Sequence, residues 1–367
     1  MAFTSSITSK LSTISRYRYK WVMMITIAWT LIDIFLWQRY MRTSAHLKFG
    51  TSFTILNTEA VLLRLGIVAY MSWVMGYLLV FRLKGWFRDY PMMINLILKT
   101  CILLLASIIM NVLLHFFYSL VILDASIPTA WNNLYHDTSF TPWFWSNNLI
   151  WITIFIITQL LIEINEKYSP GVYLDIVMGK YIKPRNETRI VMFIDLKDST
   201  PIAEKLGHTK YFRFIRDFIY FVSTSLLEYN GRIYQYVGDE IVVSWLYSPA
   251  NVQKCLDSLI DARRRLQKHS TEFKRKYGLQ PEFRVGIHVG EVTVGEIGVI
   301  KRDLAMSGDT MNTTARIRTA CSELNQKFIV SKDFSDVLNL KDWQCTSLGF
   351  IELKGKRDGI ELFTLNI

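Results

Sequence analysis

Residues 190–195 read Ile-Val-Met-Phe-Ile-Asp, an apolar run that ends on an acid. A run of this length and composition predicts a buried strand. A second acid, Asp239, follows Gly238 in a tight turn between two apolar runs. An ionised carboxylate beside an apolar interior is costly unless a positive group meets it. If Asp195 and Asp239 converge, they therefore indicate a two-metal site, which suits phosphoryl transfer.

Strands and helices are mixed around these two acids, which predicts an α+β domain from residue 189 onward. The pairs Asn230-Gly231 and Gly238-Asp239 mark tight turns. The predicted strands cover residues 189–195, 232–237, 241–246, 283–289, 327–330, 346–352 and 361–366. The predicted helices cover about 202–229, 251–277 and 310–321.

The front of the chain is far more apolar than the rest. Four segments there are long enough to cross a bilayer; they run Trp21–Trp37, Val61–Phe81, Met92–Leu120 and Asn148–Ile162. They predict an all-α region of four transmembrane helices. The charged residues Asp33, Arg64 and Lys99 lie within or near these segments. Such residues either pair inside a helix bundle or extend to the membrane interface.

The basic residues between the apolar segments predict the topology. Lys and Arg cluster before the first segment, between the second and third, and after the fourth, whereas residues 124–146 contain neither. The positive-inside rule then places both termini in the cytoplasm. The first loop, which carries Arg39, Arg42 and Lys48, opposes this assignment. We expect a multi-pass protein of the cell inner or plasma membrane with a cytoplasmic C-terminal domain.

The composition predicts three segments and excludes some kinds of site. We expect a membrane domain over 1–163, a linker over 164–188 and a catalytic domain over 189–367.

The net charge of +11 is weak evidence for nucleic acid, because much of the positive charge in the front half flanks membrane-length segments. No nucleic-acid partner is expected. The four cysteines are scattered without a CxxC pair, so neither a disulfide framework nor a zinc site is supported.

Five motifs in the second half resemble those of class III nucleotidyl cyclases. They are VMFIDLKDST at 191–200, YQYVGDEIVVSW at 234–245, RVGIHVGEVTVGEIG at 284–298, GDTMNTTAR at 308–316 and LKGK at 353–356. They occur in the family's order over some 180 residues. The resemblance implies a C-terminal α+β ferredoxin-like cyclase domain. It also implies cyclisation of a nucleoside triphosphate to a 3′,5′-cyclic monophosphate and pyrophosphate.

The resemblance assigns metal-binding roles to the first two motifs. Asp195 and Asp239, with the backbone carbonyl of Ile194, would hold two Mg²⁺ or Mn²⁺ ions per active site, and oxygen ligands suit these hard ions. Alternatives remain for each acid taken alone. Asp195 is also suited to cap the following helix, and Asp239 is also a common hairpin-turn residue.

The later motifs supply the substrate-binding residues. The resemblance implies that Asn312 orients the ribose and that Arg316 stabilises charge on the α-phosphate, a task that suits a planar guanidinium. Lys354 would contact the terminal phosphates, with Lys356 as a nearby substitute. Asp198 stands where the family usually has glycine, and its role is open.

The base-reading positions fall on Gln235 and Ala305 and match neither usual pair. Adenylate cyclases typically have Lys and Asp or Thr there, whereas guanylate cyclases have Glu and Cys. An amide can both donate and accept hydrogen bonds, so Gln235 is compatible with either purine. ATP is favoured as the more common substrate of the family, and GTP is the alternative.

The expected function is that of a membrane-bound adenylate cyclase that acts as a homodimer on ATP. The family builds its site between two catalytic domains, and this chain carries both sets of residues. The alternatives are a guanylate cyclase, or a non-catalytic membrane receptor or scaffold with a degenerate cyclase domain. A diguanylate cyclase is disfavoured because Val237 stands where its signature needs glycine. A transporter with a regulatory domain is disfavoured because the four spans show no internal repeat.

Overall fold

The computed structural model describes residues 13–44, 58–87, 90–121, 124–137, 142–166, 172–300, 303–338, 345–352 and 359–367. The chain divides into two compact units, and the main division falls between Glu166 and Lys167. The three segments expected from the sequence, with a linker over 164–188, stay a prediction.

The N-terminal unit consists of helices joined by short non-helical connections among its described residues. Its helices are α1 Thr13–Ser44, α2 Thr58–Tyr77, α3 Leu83–Trp86, α4 Met92–Val121, α5 Ile127–Asp137 and α6 Pro142–Glu166, and a π-helical turn, Leu78–Arg82, joins α2 to α3. Four stretches are long and apolar enough to cross a membrane: Thr13–Gln38, Val61–Arg82, Met92–Val121 and Trp145–Asn165. They coincide with the four predicted segments and extend most of them by a few residues.

Charged residues of the N-terminal unit are paired inside it. Arg64 donates two hydrogen bonds to the carboxylate of Asp33, with N–O distances of 2.7 and 3.0 Å. The Asp33 residue is only 1% exposed. Lys99 forms a looser ion pair with Glu163 at 3.4 Å. Of the two interpretations of these residues, pairing within the bundle is therefore the one that the structure supports.

The C-terminal unit contains one eight-stranded sheet flanked by helices, which confirms the α+β fold. The strands are β1 Arg185–Leu196, β2 Arg232–Val237, β3 Glu240–Leu246, β4 Phe283–Ile297, β5 Asp303–Ser307, β6 Phe328–Ser331, β7 Cys345–Ile351 and β8 Ile360–Leu365. The helices are α7 Val172–Val177, α8 Ser199–Leu206, α9 His208–Glu228, α10 Pro249–Lys268, α11 Ser270–Tyr277, α12 Asp309–Glu323 and α13 Lys332–Leu338. The strand order is β2-β3-β1-β4-β6-β8-β7, and β5 pairs with β4.

Strand β1 lies inside the sheet and is buried on both faces. Ile190, Met192 and Ile194 belong to the core that α9 and α10 cover. Val191 and Phe193 face a second cluster on the opposite side. Side chains alternate between faces along a strand, so a continuous apolar run is needed where both faces are covered. By the same alternation Asp195 lies on the face of Val191 and Phe193.

Helix α12 packs directly against β4 because two glycines on one face of the strand leave room for it. A Cβ at Gly286 would collide with the backbone nitrogen of Arg318, and one at Gly290 would meet the side chain of Thr310. Backbone can approach backbone this closely only where a side chain is missing. The glycines of β4 thus fix the distance of α12 from the sheet.

The predicted helix over 202–229 is two helices. Gly207 separates α8 from α9 and has a φ of +70°, a conformation that glycine adopts without steric cost. The predicted helix over 251–277 is likewise divided, at His269, into α10 and α11.

Candidate active site

Asp195 is the penultimate residue of β1 and lies between charged neighbours on both adjoining strands. On one side it pairs in register with Arg284 of β4. On the other side Ile194 pairs with Ile241 of β3, and Glu240 is the next residue along that strand. Asp198, and not Asp195, occupies the capping position of α8. The structure therefore contradicts the alternative that Asp195 caps the helix.

Asp239 is presented by the two-residue turn of the β2–β3 hairpin. Val237 pairs with Glu240, and Gly238 takes the first loop position with a φ of +61°, as hairpin turns of this length favour. The Oδ2 atom of Asp239 is buried and has no hydrogen-bond partner within the described part of the chain. A buried carboxylate oxygen without a partner carries an uncompensated desolvation cost.

The carboxylates of Asp195, Asp239 and Glu240, termed here the acidic cluster, lie close enough to affect one another. Burial raises the pKa of Asp195, and the neighbouring Asp239 raises it further, while Arg318 and Arg284 oppose these effects. Burial likewise raises the pKa of Glu240, against the opposing charge of Arg318. The site thus concentrates negative charge where water is largely excluded.

Arg318, on α12, is the cation that meets the acidic cluster. Its Nη1 lies 3.3 Å from Oδ2 of Asp195, and its Nη2 lies 2.7 Å from Oε2 of Glu240. The sequence motifs did not point to Arg318 or Glu240. Glu240 lies inside the motif at 234–245 without an assigned role, and Arg318 lies two residues beyond the motif at 308–316. Only the packing of α12 on β4 brings Arg318 to the strand end. Tyr211 of α9 was also missed; burial, and then the charge of Asp239, raise the pKa of its hydroxyl.

The residues of the acidic cluster fit a divalent ion with hard oxygen ligands. Asp195 and Asp239 supply carboxylates, and Oδ2 of Asp239 and Oε2 of Glu240 are buried without a hydrogen-bond partner among the described residues. Among the described residues no group of three His, Cys, Asp or Glu side chains is arranged to enclose a metal. Magnesium typically binds through one or two carboxylates together with substrate phosphates. The donor set therefore suits Mg²⁺ or Mn²⁺ held jointly with a phosphorylated substrate.

Asn312 and Arg316 lie on α12 but do not join the acidic cluster. Asn312 is exposed and Arg316 is half-buried. Across the described ranges neither side chain has a hydrogen bond or ion pair to another residue. Within this chain, Arg318 contacts the carboxylates in their place. The structure therefore leaves Asn312 and Arg316 available for a ligand or a second chain.

The two base-reading positions are linked through their neighbours. Gln235 is exposed on β2 next to a bulge at Tyr234. The Tyr234 hydroxyl accepts a hydrogen bond of 3.2 Å from the backbone N–H of Met306. Met306 is adjacent to Ala305, which pairs with Gly295 of β4. Gln235 and Ala305 are thus each one residue away from a hydrogen bond that joins β2 to β5.

Asp198 adopts the backbone conformation that glycine would favour. Its φ is +57°, in the left-handed region where aspartate is tolerated better than most residues. Its carboxylate is exposed and lies 4.0 Å from Arg284 and from Lys197. The aspartate therefore preserves the shape of the loop. Lys354 and Lys356 lie outside the described residues.

Comparisons with known proteins cover this same half of the chain. Residues 182–367 match the family model described as the adenylate and guanylate cyclase catalytic domain. Adenylate cyclase 2 of Rhizobium meliloti (strain 1021) is 30% identical over 207 residues, which make up 56% of this chain and 57% of that protein. The adenylate cyclase of Anabaena cylindrica is 25% identical over 213 residues, 54% of this chain and 42% of that protein. The chain thus spans about half the length of these relatives.

One solved structure has a similar fold. A bacterial light-regulated adenylyl cyclase superposes with a TM-score of 0.51 and 19% identity, over 59% of this chain and 63% of that one. At this identity the likeness concerns the fold alone.

Proposed function

Because the chain belongs to the adenylate and guanylate cyclase catalytic-domain family, we propose that it is a membrane-bound adenylate cyclase that converts ATP into 3′,5′-cyclic AMP and pyrophosphate. The observation that carries the proposal is the approach of Asp195 and Asp239 from separate strands, with a buried unpaired oxygen on Asp239. Arg318 meets Asp195 and Glu240, so Asp239 is the carboxylate left for a further cation to neutralise.

Asp195, Asp239 and the carbonyl of Ile194 would hold two Mg²⁺ or Mn²⁺ ions together with the triphosphate. When bound, these ions lower the pKa of the ribose 3′-hydroxyl and neutralise the phosphates. Asp195 and Asp239 would act on the triphosphate only through these ions, since carboxylates and phosphates repel each other directly. The half-buried position of Asp195 limits the access of water, which strengthens these interactions.

The remaining residues would come from a second copy of the chain. Among the described residues Arg316 has no carboxylate partner, and it lies on the same helix face as Asn312. We therefore place Asn312 on the ribose and Arg316 on the α-phosphate of a substrate whose metal ligands belong to the other subunit. Lys354 or Lys356 would meet the terminal phosphates. The proposed enzyme is a homodimer with two equivalent sites.

The choice of ATP over GTP rests on the adenylate cyclase relatives and on the chemistry of Gln235. The amide of Gln235 can accept from the adenine amino group, while Ala305 offers only its backbone for hydrogen bonding. GTP is the second candidate because the same amide can donate to the guanine carbonyl.

The four apolar helices support a multi-pass location in the cell inner or plasma membrane. We propose a membrane domain over 1–163, a linker over 164–188 and a cytoplasmic catalytic domain over 189–367. The basic residues that precede the first helix and follow the fourth favour this orientation.

A side-by-side assay tests the proposal. The full chain in detergent is given Mn²⁺ and either ATP or GTP, and the cyclic product is identified by mass spectrometry. We expect cyclic AMP and pyrophosphate from ATP, and loss of the product in Asp195→Ala. If neither nucleotide is turned over, the enzyme proposal is wrong. If GTP is the better substrate, the family assignment stands and the base preference is reversed.

A further inference from the structure

Arg318 connects two carboxylates that come from different strands. Its Nη1 donates a hydrogen bond of 3.3 Å to Oδ2 of Asp195. Its Nη2 lies closer, 2.7 Å, to Oε2 of Glu240, but this ion pair lacks the geometry of a hydrogen bond. The Nε of Arg318 is buried and, among the residues that the structure describes, lacks a hydrogen-bond partner. The guanidinium is thus in close electrostatic contact with Glu240 and joined to Asp195 by one long hydrogen bond.

The backbone position of Arg318 is fixed by the sheet. Its nitrogen and Cα lie against Gly286 of β4, where even a Cβ would collide with them. Gly286 pairs with Phe193 of β1, two residues before Asp195. Arg318 therefore reaches the strand end from a rigid anchor, and only its side chain has freedom to move.

A guanidinium and a divalent ion cannot both occupy the same face of Asp195. Oδ2 of Asp195 is the atom that Arg318 contacts, and carboxylate oxygens are the ligands that the proposed ions need. A positive charge within a few ångströms of the ion also repels it. Metal binding therefore has to weaken or break the contact between Arg318 and Asp195.

We propose that Arg318 is the resident cation of this site: it neutralises Asp195 and Glu240 in the metal-free enzyme, and a divalent ion displaces it from Asp195 while Glu240 retains it. Arg318 is then a positioning residue that holds the acidic cluster in shape and sets the concentration of metal required. This inference rests on the metal site of the proposed function.

Metal binding without nucleotide separates the inference from the proposed function. The full chain in detergent is titrated with Mn²⁺, and free Mn²⁺ is measured by electron paramagnetic resonance. Wild type should bind Mn²⁺ and Asp195→Ala should not; failure here overturns the metal site itself. Given a metal site, Arg318→Gln should bind Mn²⁺ about tenfold more tightly, because one close positive charge is removed.

Arg275→Gln is the matched control, since it removes the same charge from an exposed position on α11 and should leave Mn²⁺ affinity unchanged. Thermal melting supplies a second measurement. Without metal, Arg318→Gln should melt at a lower temperature than wild type, and Mn²⁺ should raise its melting temperature by more. Unchanged or weaker Mn²⁺ binding in Arg318→Gln overturns the inference.

Arg318→Lys covers the case in which Arg318→Gln does not fold. A single ammonium can keep the contact with Glu240 but cannot bridge to Asp195 in the same fork geometry. We expect Arg318→Lys to bind Mn²⁺ more tightly than wild type and less tightly than a variant without the charge. Affinity equal to or below that of wild type in Arg318→Lys would also overturn the inference.

Discussion

At the scale of single residues, the acidic cluster brings carboxylates close together although they repel one another. In the proposed function the carboxylates of Asp195 and Asp239 approach each other to serve one substrate, and this proximity contributes to the raised pKa of Asp195. Residues that are arranged for a ligand in this way usually cost the empty protein some stability. The cost can be measured by removing one of them.

Asp239→Ala should abolish cyclase activity and at the same time stabilise the metal-free protein. The substitution removes a buried oxygen that has no partner in the described structure, and with it the repulsion of Asp195. We expect a gain of about 1 kcal/mol in the free energy of unfolding at neutral pH, measured by melting without metal. A loss of stability would mean that Asp239 has a structural partner.

The sequence could single out Asp195 and Asp239 as candidate metal ligands because each stands in a local motif, and their role stays a prediction. It was not sufficient for Arg318 and Tyr211. Arg318 contacts Asp195, which lies more than 100 positions away in the sequence. Tyr211 and Asp239 are about thirty positions apart. No periodicity or spacing within one helix predicts which of Arg316 and Arg318 meets the carboxylates.

At the scale of elements, the decisive contact is that of α12 with β4. The helix carries Asn312, Arg316 and Arg318, so its distance from the sheet positions all of them together. Gly286 determines that distance. The sequence predicted Gly286 only as a residue within the strand over 283–289, because the helix that uses the space follows more than twenty residues later.

Gly286→Ala should therefore lower both stability and activity. The added Cβ would collide with the backbone of Arg318, which cannot move aside as a flexible side chain can. We expect a loss of about 2 kcal/mol or more in the free energy of unfolding, with a weaker response of the melting temperature to Mn²⁺.

Gly359→Ala is the control for this change, because its Cβ would meet its nearest neighbour, the carbonyl oxygen of Ile351, at an ordinary 3.5 Å. It should leave stability within about 0.5 kcal/mol of wild type. Equal effects of the two substitutions would contradict the role assigned to Gly286.

The packing of α11 on α9 gives a prediction for alkaline pH. The Tyr277 hydroxyl donates a hydrogen bond of 2.7 Å to Asp217. Burial, and then this bond and the charge of Asp217, raise the pKa of Tyr277 from 10.0 to about 12. A pKa raised in the folded state stabilises the fold below the unfolded value and loses this contribution as pH rises through the folded value.

Tyr277→Phe should accordingly cost about 1 kcal/mol below pH 10, the net value of a buried hydrogen bond. The difference from wild type should shrink as pH rises from 10 toward about 12. Chemical denaturation of both proteins at several pH values measures it. A difference that stays constant over this range would contradict the assigned pKa.

The boundaries of elements were predicted less well than their order. The division of the predicted helix at Gly207 required a positive φ that no hydrophobic pattern reveals. Strand β1, by contrast, could be predicted because a strand that is buried on both faces has a continuous apolar run. Such a run can be read from the sequence without knowing which strands and helices pack against it.

At the scale of the whole molecule, the proposed homodimer distributes each active site over two chains. A variant that lacks a metal ligand and one that lacks Arg316 are then inactive for complementary reasons. In a mixed dimer both defects fall in one site, and the other site is intact.

Mixing Asp239→Ala and Arg316→Ala chains should restore activity. With random pairing, half of the dimers are mixed and each has one working site, so about a quarter of wild-type activity is expected. Coexpression of the two variants with different affinity tags, followed by purification on both tags, raises the value toward a half. Absence of activity in the doubly purified fraction would count against shared sites.

The ion pair between Asp33 and Arg64 has a consequence for how the chain is made. In the proposed membrane domain, α1 is synthesised before α2, so Asp33 would enter the lipid before its partner exists. A lone charged residue costs about 3 kcal/mol at the centre of a membrane helix, and part of that cost applies to Asp33 near the end of the Thr13–Gln38 stretch. The buried pair therefore favours a route in which the first helix waits beside the insertion machinery until the second arrives, and both enter the lipid as a hairpin.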